Sequence, residues 1–187
     1  MSPMVKLPLS MEYALLGFLR DGASYPYQVH QRLEQTAMLH MVWRLKQRQT
    51  YMLLERLEAE GLLASSTVDQ GRRPPRRMLQ LTPHGMATFQ HWLVVPVEHG
   101  RAFRQEFMAK LYFAQRETGD SAATLIARQI ATCRIWLHDF QQQLGTIAAD
   151  AKLDRLVIEF RIGQVAAILA WLDTCTVVLG PAHDPAD

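Results

Sequence analysis

The sequence predicts a mainly α fold: an N-terminal winged helix-turn-helix with a two-stranded β-wing, plus an all-helical C-terminal dimerisation domain. Three observations carry that expectation. Apolar residues at helical spacing run through the first sixty positions. Two short extended runs then flank the arginine-rich segment DQGRRPPRR. Beyond residue 100 only helical periodicity recurs.

Ser10 is a suitable N-cap, and Met11, Leu15, Phe18 and Leu19 after it share one helical face. Asp21-Gly22 ends that helix. Pro26 suits the first turn of a second helix, where its missing N–H costs nothing. Val29, Leu33 and Ala37 continue it as a buried stripe. A third helix is predicted from Gln47 to Glu60, with Thr50, Leu53, Leu54 and Leu57 inward and Gly61 as its stop.

After Gly61 the period changes. Leu62 to Val68 and Met78 to Thr82 read as strands, with DQGRRPPRR as a long hairpin tip. Thr82 then caps a fourth helix that opens on Pro83. In the second half, Phe103 to Gln115 is helical and Gly119-Asp120-Ser121 breaks and recaps the chain. Ile126, Ile130, Cys133, Leu137, Phe140, Leu144 and Ile147 alternate steps of four and three, the a/d seam of coiled-coil packing. The last helix, from about Asp150 to Leu179, carries a small-residue ridge at Gly163, Ala167, Ala170 and Thr174. The expected division is 1–95 for the winged helix, 96–180 for the helical domain and 181–187 for a disordered tail.

A helix apolar on all sides needs cover on several of them, and three helices of one chain supply too little. A second copy is therefore expected to supply the rest. The expected dimerisation residues are Ile126, Ile130, Cys133, Leu137, Phe140 and Leu144, with Phe160, Gly163, Ala167, Ala170, Trp171 and Thr174 on the last helix. The run 162–180 is also long enough to cross a bilayer, but Gln164 and Asp173 lie inside it. An aspartate near mid-span costs about 2.5–3.5 kcal/mol, so a helix buried against protein is expected and no membrane partner.

The chain has 187 residues, 49% hydrophobic and 20% charged, which suits a globular protein and excludes wholesale disorder. Its net charge of +2 is unevenly placed. Residues 1–95 hold 11 Lys+Arg against 7 Asp+Glu, whereas 96–187 hold 9 against 11. The basic half is the candidate for an anionic partner. Two cysteines cannot build a disulfide framework or a four-thiolate zinc site, and the N-terminus does not read as a signal peptide. A reducing, cytoplasmic setting is expected.

The strongest local signal is Arg72, Arg73, Arg76 and Arg77, four guanidinium groups stiffened by Pro74 and Pro75. Arginine pairs bidentately with phosphate oxygens, so this wing is expected to lie along a DNA backbone. The second signal is Lys46-Gln47-Arg48-Gln49 at the start of the third helix, with no acid among them. A recognition helix enters the major groove by its N-terminal residues, where Arg and Lys pair with guanine and Gln with adenine. Arg48, Met52, Glu55 and Arg56 share the outward face. Tyr51 either donates to a phosphate or packs at the core edge, and the same choice applies to Tyr25 and Tyr27. A solvated basic loop, or a winged helix that docks on an acidic protein, explains the same residues without DNA.

Trp136 and Trp171 either pack in the core or line a pocket for a flat aromatic ligand. His84, His91 and His99 lack metal-ligand spacing, so no metal and no cofactor are expected. Asp150 and Asp154 suit a helix N-terminus better than acid–base work. No nucleophile elbow, zinc-protease motif or phosphate-binding loop occurs, so enzyme activity is not expected.

Trp43-Arg44, the polar run to Tyr51, Leu57-Glu58-Ala59-Glu60-Gly61-Leu62, Gly71 to Arg77 and Leu81-Thr82-Pro83 resemble the PadR family of bacterial transcription regulators. The segment Phe103 to Phe113 is similar to the start of the long C-terminal region in its larger subfamily, which includes a virulence gene activator. Pro26 stands where many members have glycine, and Lys46-Gln47-Arg48 replaces a Ser-Pro-Gly-like entry. The resemblance implies a dimeric winged-helix regulator of double-stranded DNA, usually a repressor, in some cases responding to a small aromatic molecule.

Overall fold

In the computed structural model, which describes residues 11–70, 73–117 and 119–179, a 3₁₀ turn (Met11–Tyr13) leads into the short helix α1 (Ala14–Gly17). Leu15, Leu16 and Leu19 are buried there, and Arg32 donates from Nη1 to the Phe18 carbonyl at 2.8 Å, satisfying one orphan acceptor at the helix end. The predicted cap, Ser10, lies outside the described residues. Helix α2 (Pro26–Gln35) begins at the proline, and the Tyr25 amide ahead of it donates to Gln28 Oε1 at 3.0 Å.

The predicted continuation to Ala37 does not occur. Thr36 takes an extended conformation and a separate helix, α3 (Ala37–Val42), follows. Ala37 is exposed, and Leu39 supplies the core contact instead. Helix α4 (Gln47–Ala59) buries Thr50, Leu54 and Leu57, leaving Leu53 half-buried. Gly61, at φ 73°, closes it: the Leu62 amide donates to Leu57 O at 2.9 Å and the Gly61 amide to Glu58 O at 2.8 Å. Only a residue at ease with positive φ permits that double cap.

Strands β1 (Leu63–Gln70) and β2 (Arg73–Leu81) pair antiparallel, Leu63 opposite Leu81 and Val68 opposite Arg76. The arginine segment is therefore mostly strand rather than loop. Its two prolines are tolerated because the register shifts between Val68 and Gln70, where fewer ladder hydrogen bonds are demanded. Ser24 bridges Leu79 through two 2.9 Å backbone bonds, anchoring the hairpin base. Thr82 Oγ1 accepts from the Gly85 amide at 2.9 Å and donates to Gly61 O at 2.8 Å, starting α5 (Pro83–Val94).

The chain forms two compact units: 1–93 with 108–113, and 94–107 with the rest from 114. Helix α6 (Gly100–Ala102), a π-helical turn (Phe103–Phe107) and α7 (Met108–Ala114) carry the chain back to the first unit. There Phe113 packs edge-on against Phe18 and Phe89, and Lys110 lies 5.3 Å from the Trp92 ring centroid. A core leucine or phenylalanine buried this way contributes about 1.5–3 kcal/mol.

In the second unit, α8 (Ser121–Thr146) and α9 (Lys152–Leu179) pack against each other. Arg155 donates to the carbonyls of Leu144 and Ile147, at 3.4 and 3.3 Å, placing a cation on the C-terminal end of α8. Gln129, wholly buried, accepts from the Val97 amide at 2.8 Å and returns a bond to its carbonyl at 3.3 Å. The α8 seam is thus largely covered within one chain. Ile126 and Cys133 are buried, and Ile130, Leu137, Phe140 and Leu144 half-buried. For Ile126 and Cys133 the cover comes from within the chain, since an antiparallel neighbour joined by a short loop fills an a/d seam as a partner does. On α9 the outcome is opposite. Phe160 is 64% exposed, Leu153 72% and Leu156 61%. Gly163, Ala167, Ala170 and Thr174 are also exposed. α9 is the one described helix long and apolar enough to cross a membrane, by length and composition only.

Candidate nucleic-acid interface

The first turn of α4 is built from its own side chains. The Lys46 amide donates to Gln49 Oε1 at 2.9 Å, a reciprocal cap across the helix start. Gln47 Nε2 donates to the Tyr51 hydroxyl at 3.0 Å, and Tyr51 is half-buried. Two of the four predicted reading residues therefore have local partners, while the Lys46 and Arg48 side chains stand exposed. Met52, one turn beyond Arg48, is 58% exposed on the same face. Arg56 is half-buried instead of outward, and its charge acts on Tyr13, whose hydroxyl pKa is raised mainly by burial and then by Glu60 and Glu12.

Tyr27 is 41% exposed and stacks on Tyr25, ring centroids 5.9 Å apart and nearly parallel. Of the wing arginines, Arg76 and Arg77 are exposed on β2. Arg72 lies outside the described residues, as does the side chain of Arg73. Arg77 forms an ion pair with Glu58 on the last turn of α4, joining the wing to that helix. Sequence reasoning missed that acid because it falls 19 residues away. It missed the buried pair His30–Thr50 and the clamp Gln129 for the same reason.

The second unit holds a cavity of about 420 Å³ between Glu98–Arg101, Trp136 and Phe140 of α8, and Arg161, Gln164, Val165 and Ile168 of α9. The Arg161 guanidinium lies 5.0 Å from the Phe140 ring centroid. Trp171 does not line it. That ring instead meets Phe103 and Phe107 edge-on, at 5.8 and 6.2 Å, which is the packing alternative for this residue. The stacked pair Phe103–Phe107, centroids 4.5 Å apart, draws Trp171 toward the π-helical turn. Among the described residues no group of three or more His, Cys, Asp or Glu is placed to hold a metal ion.

Residues 15–91 match the transcriptional regulator PadR-like family, and residues 103–180 match the virulence activator alpha C-terminal domain. The chain thus carries a PadR-like domain followed by a virulence activator alpha C-terminal domain. It is a transcriptional regulator and not an enzyme. A negative transcriptional regulator PadR of Bacillus subtilis (strain 168) is 28% identical over 142 residues, covering 76% of this chain and 77% of that protein. The solved structure of Bacillus subtilis PadR in complex with operator DNA is 25% identical, with a TM-score of 0.44 over 90% of this chain and 97% of that one. The same regulator in complex with p-coumaric acid is 24% identical, with a TM-score of 0.40 over 94% and 99%.

Proposed function

We propose that this PadR-like protein is a cytoplasmic repressor that binds a pseudo-palindromic operator as a homodimer and releases it when a small aromatic molecule occupies the second unit. The observation that carries the reading is the exposed cationic entry to α4, Lys46 and Arg48, on the same unit as the exposed Arg76 of the wing. Guanidinium and ammonium groups at a helix N-terminus suit guanine edges in the major groove, while the wing suits phosphates. Repression follows the relative named a negative regulator.

The uncovered apolar face of α9, with Phe160 64% exposed, supports self-association. Two-fold symmetry would then space the half-sites about one helical turn apart, roughly 34–36 Å. The cavity beside Trp136 supports the effector, since ring faces and two arginines suit an aromatic anion.

Selection of genomic duplex fragments by the purified protein, repeated over a range of salt, tests the reading. Enrichment of a two-fold symmetric site whose affinity falls steeply with salt supports it, and indifference to duplexes in dilute buffer refutes it. Aromatic acids are then titrated while the protein's tryptophan fluorescence is followed, with Trp136→Phe as the control that removes the pocket's own signal. An acid that binds free and operator-bound protein equally cannot regulate, and that result refutes the effector.

A further inference from the structure

We infer that His30, on α2, is a positioning residue that sets how the recognition helix α4 presents Lys46 and Arg48 to a duplex; the inference rests on the DNA reading above. His30 is 9% exposed and Thr50 fully buried, and His30 Nδ1 lies 3.1 Å from Thr50 Oγ1. Thr50 Oγ1 in turn lies 3.5 Å from the Lys46 carbonyl oxygen. On the far side of the ring, His30 Nε2 is 3.4 Å from Glu34 Oε1.

The ring nitrogen and the hydroxyl can exchange donor and acceptor roles, so one directed hydrogen bond joins α2 to α4 whichever of them gives the proton. Lys46 is held on both sides of its backbone. Its carbonyl accepts from the Gln49 and Thr50 amides, at 2.9 and 3.1 Å, and its amide donates to Gln49 Oε1 at 2.9 Å.

Apolar packing between α2 and α4 tolerates small slides and rotations. A directed buried hydrogen bond tolerates far less, because a shift of the helix leaves a buried polar group without its partner. The reading end of α4 sits one turn from that bond. A sub-ångström offset there changes which base edges Lys46 and Arg48 meet, while phosphate contacts, which tolerate movement, survive.

The test is selection from a random duplex pool by wild type, Thr50→Val, His30→Leu, His30→Gln and the Thr50→Val/His30→Leu double variant. Binding to the wild-type motif and to an unrelated duplex is then measured, with thermal midpoints alongside. Thr50→Val keeps shape and removes the hydroxyl. The preference for the motif is expected to fall about 3- to 10-fold in Thr50→Val and in His30→Leu, with the salt slope unchanged. The double variant falls no further than either single one, since one bond is lost. His30→Gln, whose amide offers both a donor and an acceptor, restores most of the preference.

Wild-type preference in Thr50→Val, losses that multiply in the double variant, or an equal fall on both duplexes overturns the inference. If His30→Leu does not fold, Thr50→Val and His30→Gln decide. A wild type that enriches no motif overturns the DNA reading and this inference with it. An enriched motif read unchanged by Thr50→Val overturns only this inference.

Discussion

Arg77 donates from Nη2 to the carboxylate of Glu58, so the second strand of the wing is tied to the last turn of α4. The pair is partly exposed, and its chief consequence is electrostatic. Glu58 would otherwise set a negative charge near a duplex gripped by α4. Arg77→Ala is expected to weaken duplex binding several-fold at low salt, and Glu58→Gln added to it restores most of the loss. The same Glu58→Gln added to Arg76→Ala restores nothing. Gel-shift titrations of the four variants check this, and rescue of both arginine variants alike would refute it.

Replacement of Arg72, Arg73, Arg76 and Arg77 together by alanine should flatten the salt dependence. Each lost phosphate contact lowers the log–log slope by about 0.9, so four free arginines would lower it by about 3.6. Because Arg77 is paired, a fall nearer about 2.7 is expected. An unchanged slope would show that the wing does not touch the backbone.

The exposed stripe on α9 makes Phe160→Asp the sharpest probe of self-association. Phe160 is 64% exposed in the single chain, so an aspartate there costs the monomer's fold little. Sedimentation should shift from a dimer to a single copy while the helical circular dichroism persists. Retention of the dimer would place the contact on another surface.

Gly85 is fixed by space. A Cβ there would lie 2.0 Å from the Leu62 carbonyl oxygen, inside any allowed contact. Gly85→Ala should therefore lower the melting temperature sharply, although alanine favours a helix by about 1 kcal/mol. Gly163 has open space around its Cβ position, and Gly163→Ala should raise the helix stability of a monomer. Thermal melts of the two variants, moving in opposite directions, check the contrast.

Cys133 and Cys175 are buried, and burial raises both thiol pKa values; a bond from Gln129 opposes the rise at Cys133. A raised thiol pKa means less thiolate at a given pH, and thiolate is the reactive form. Alkylation at pH 8 should be at least about tenfold slower in the native protein than in denaturant. Equal rates would show that the helices open readily.

Local physics wrote much of this molecule into its sequence. Apolar spacing marks α2, α4 and α8, Gly61 and Thr82-Pro83 mark where helices stop and start, and the arginines of 72–77 mark the wing. Each is a relation among residues a few positions apart, and such relations survive in any context. Tertiary structure decided the rest. The break at Thr36, the return of Met108–Phe113 to the first unit and the burial of Ile126 and Cys133 within one chain depend on distant surfaces. So do the pairings of Arg77 with Glu58 and His30 with Thr50, 19 and 20 residues apart. A side chain's periodicity states that it will be covered, whereas what covers it depends on which remote surface folding brings near.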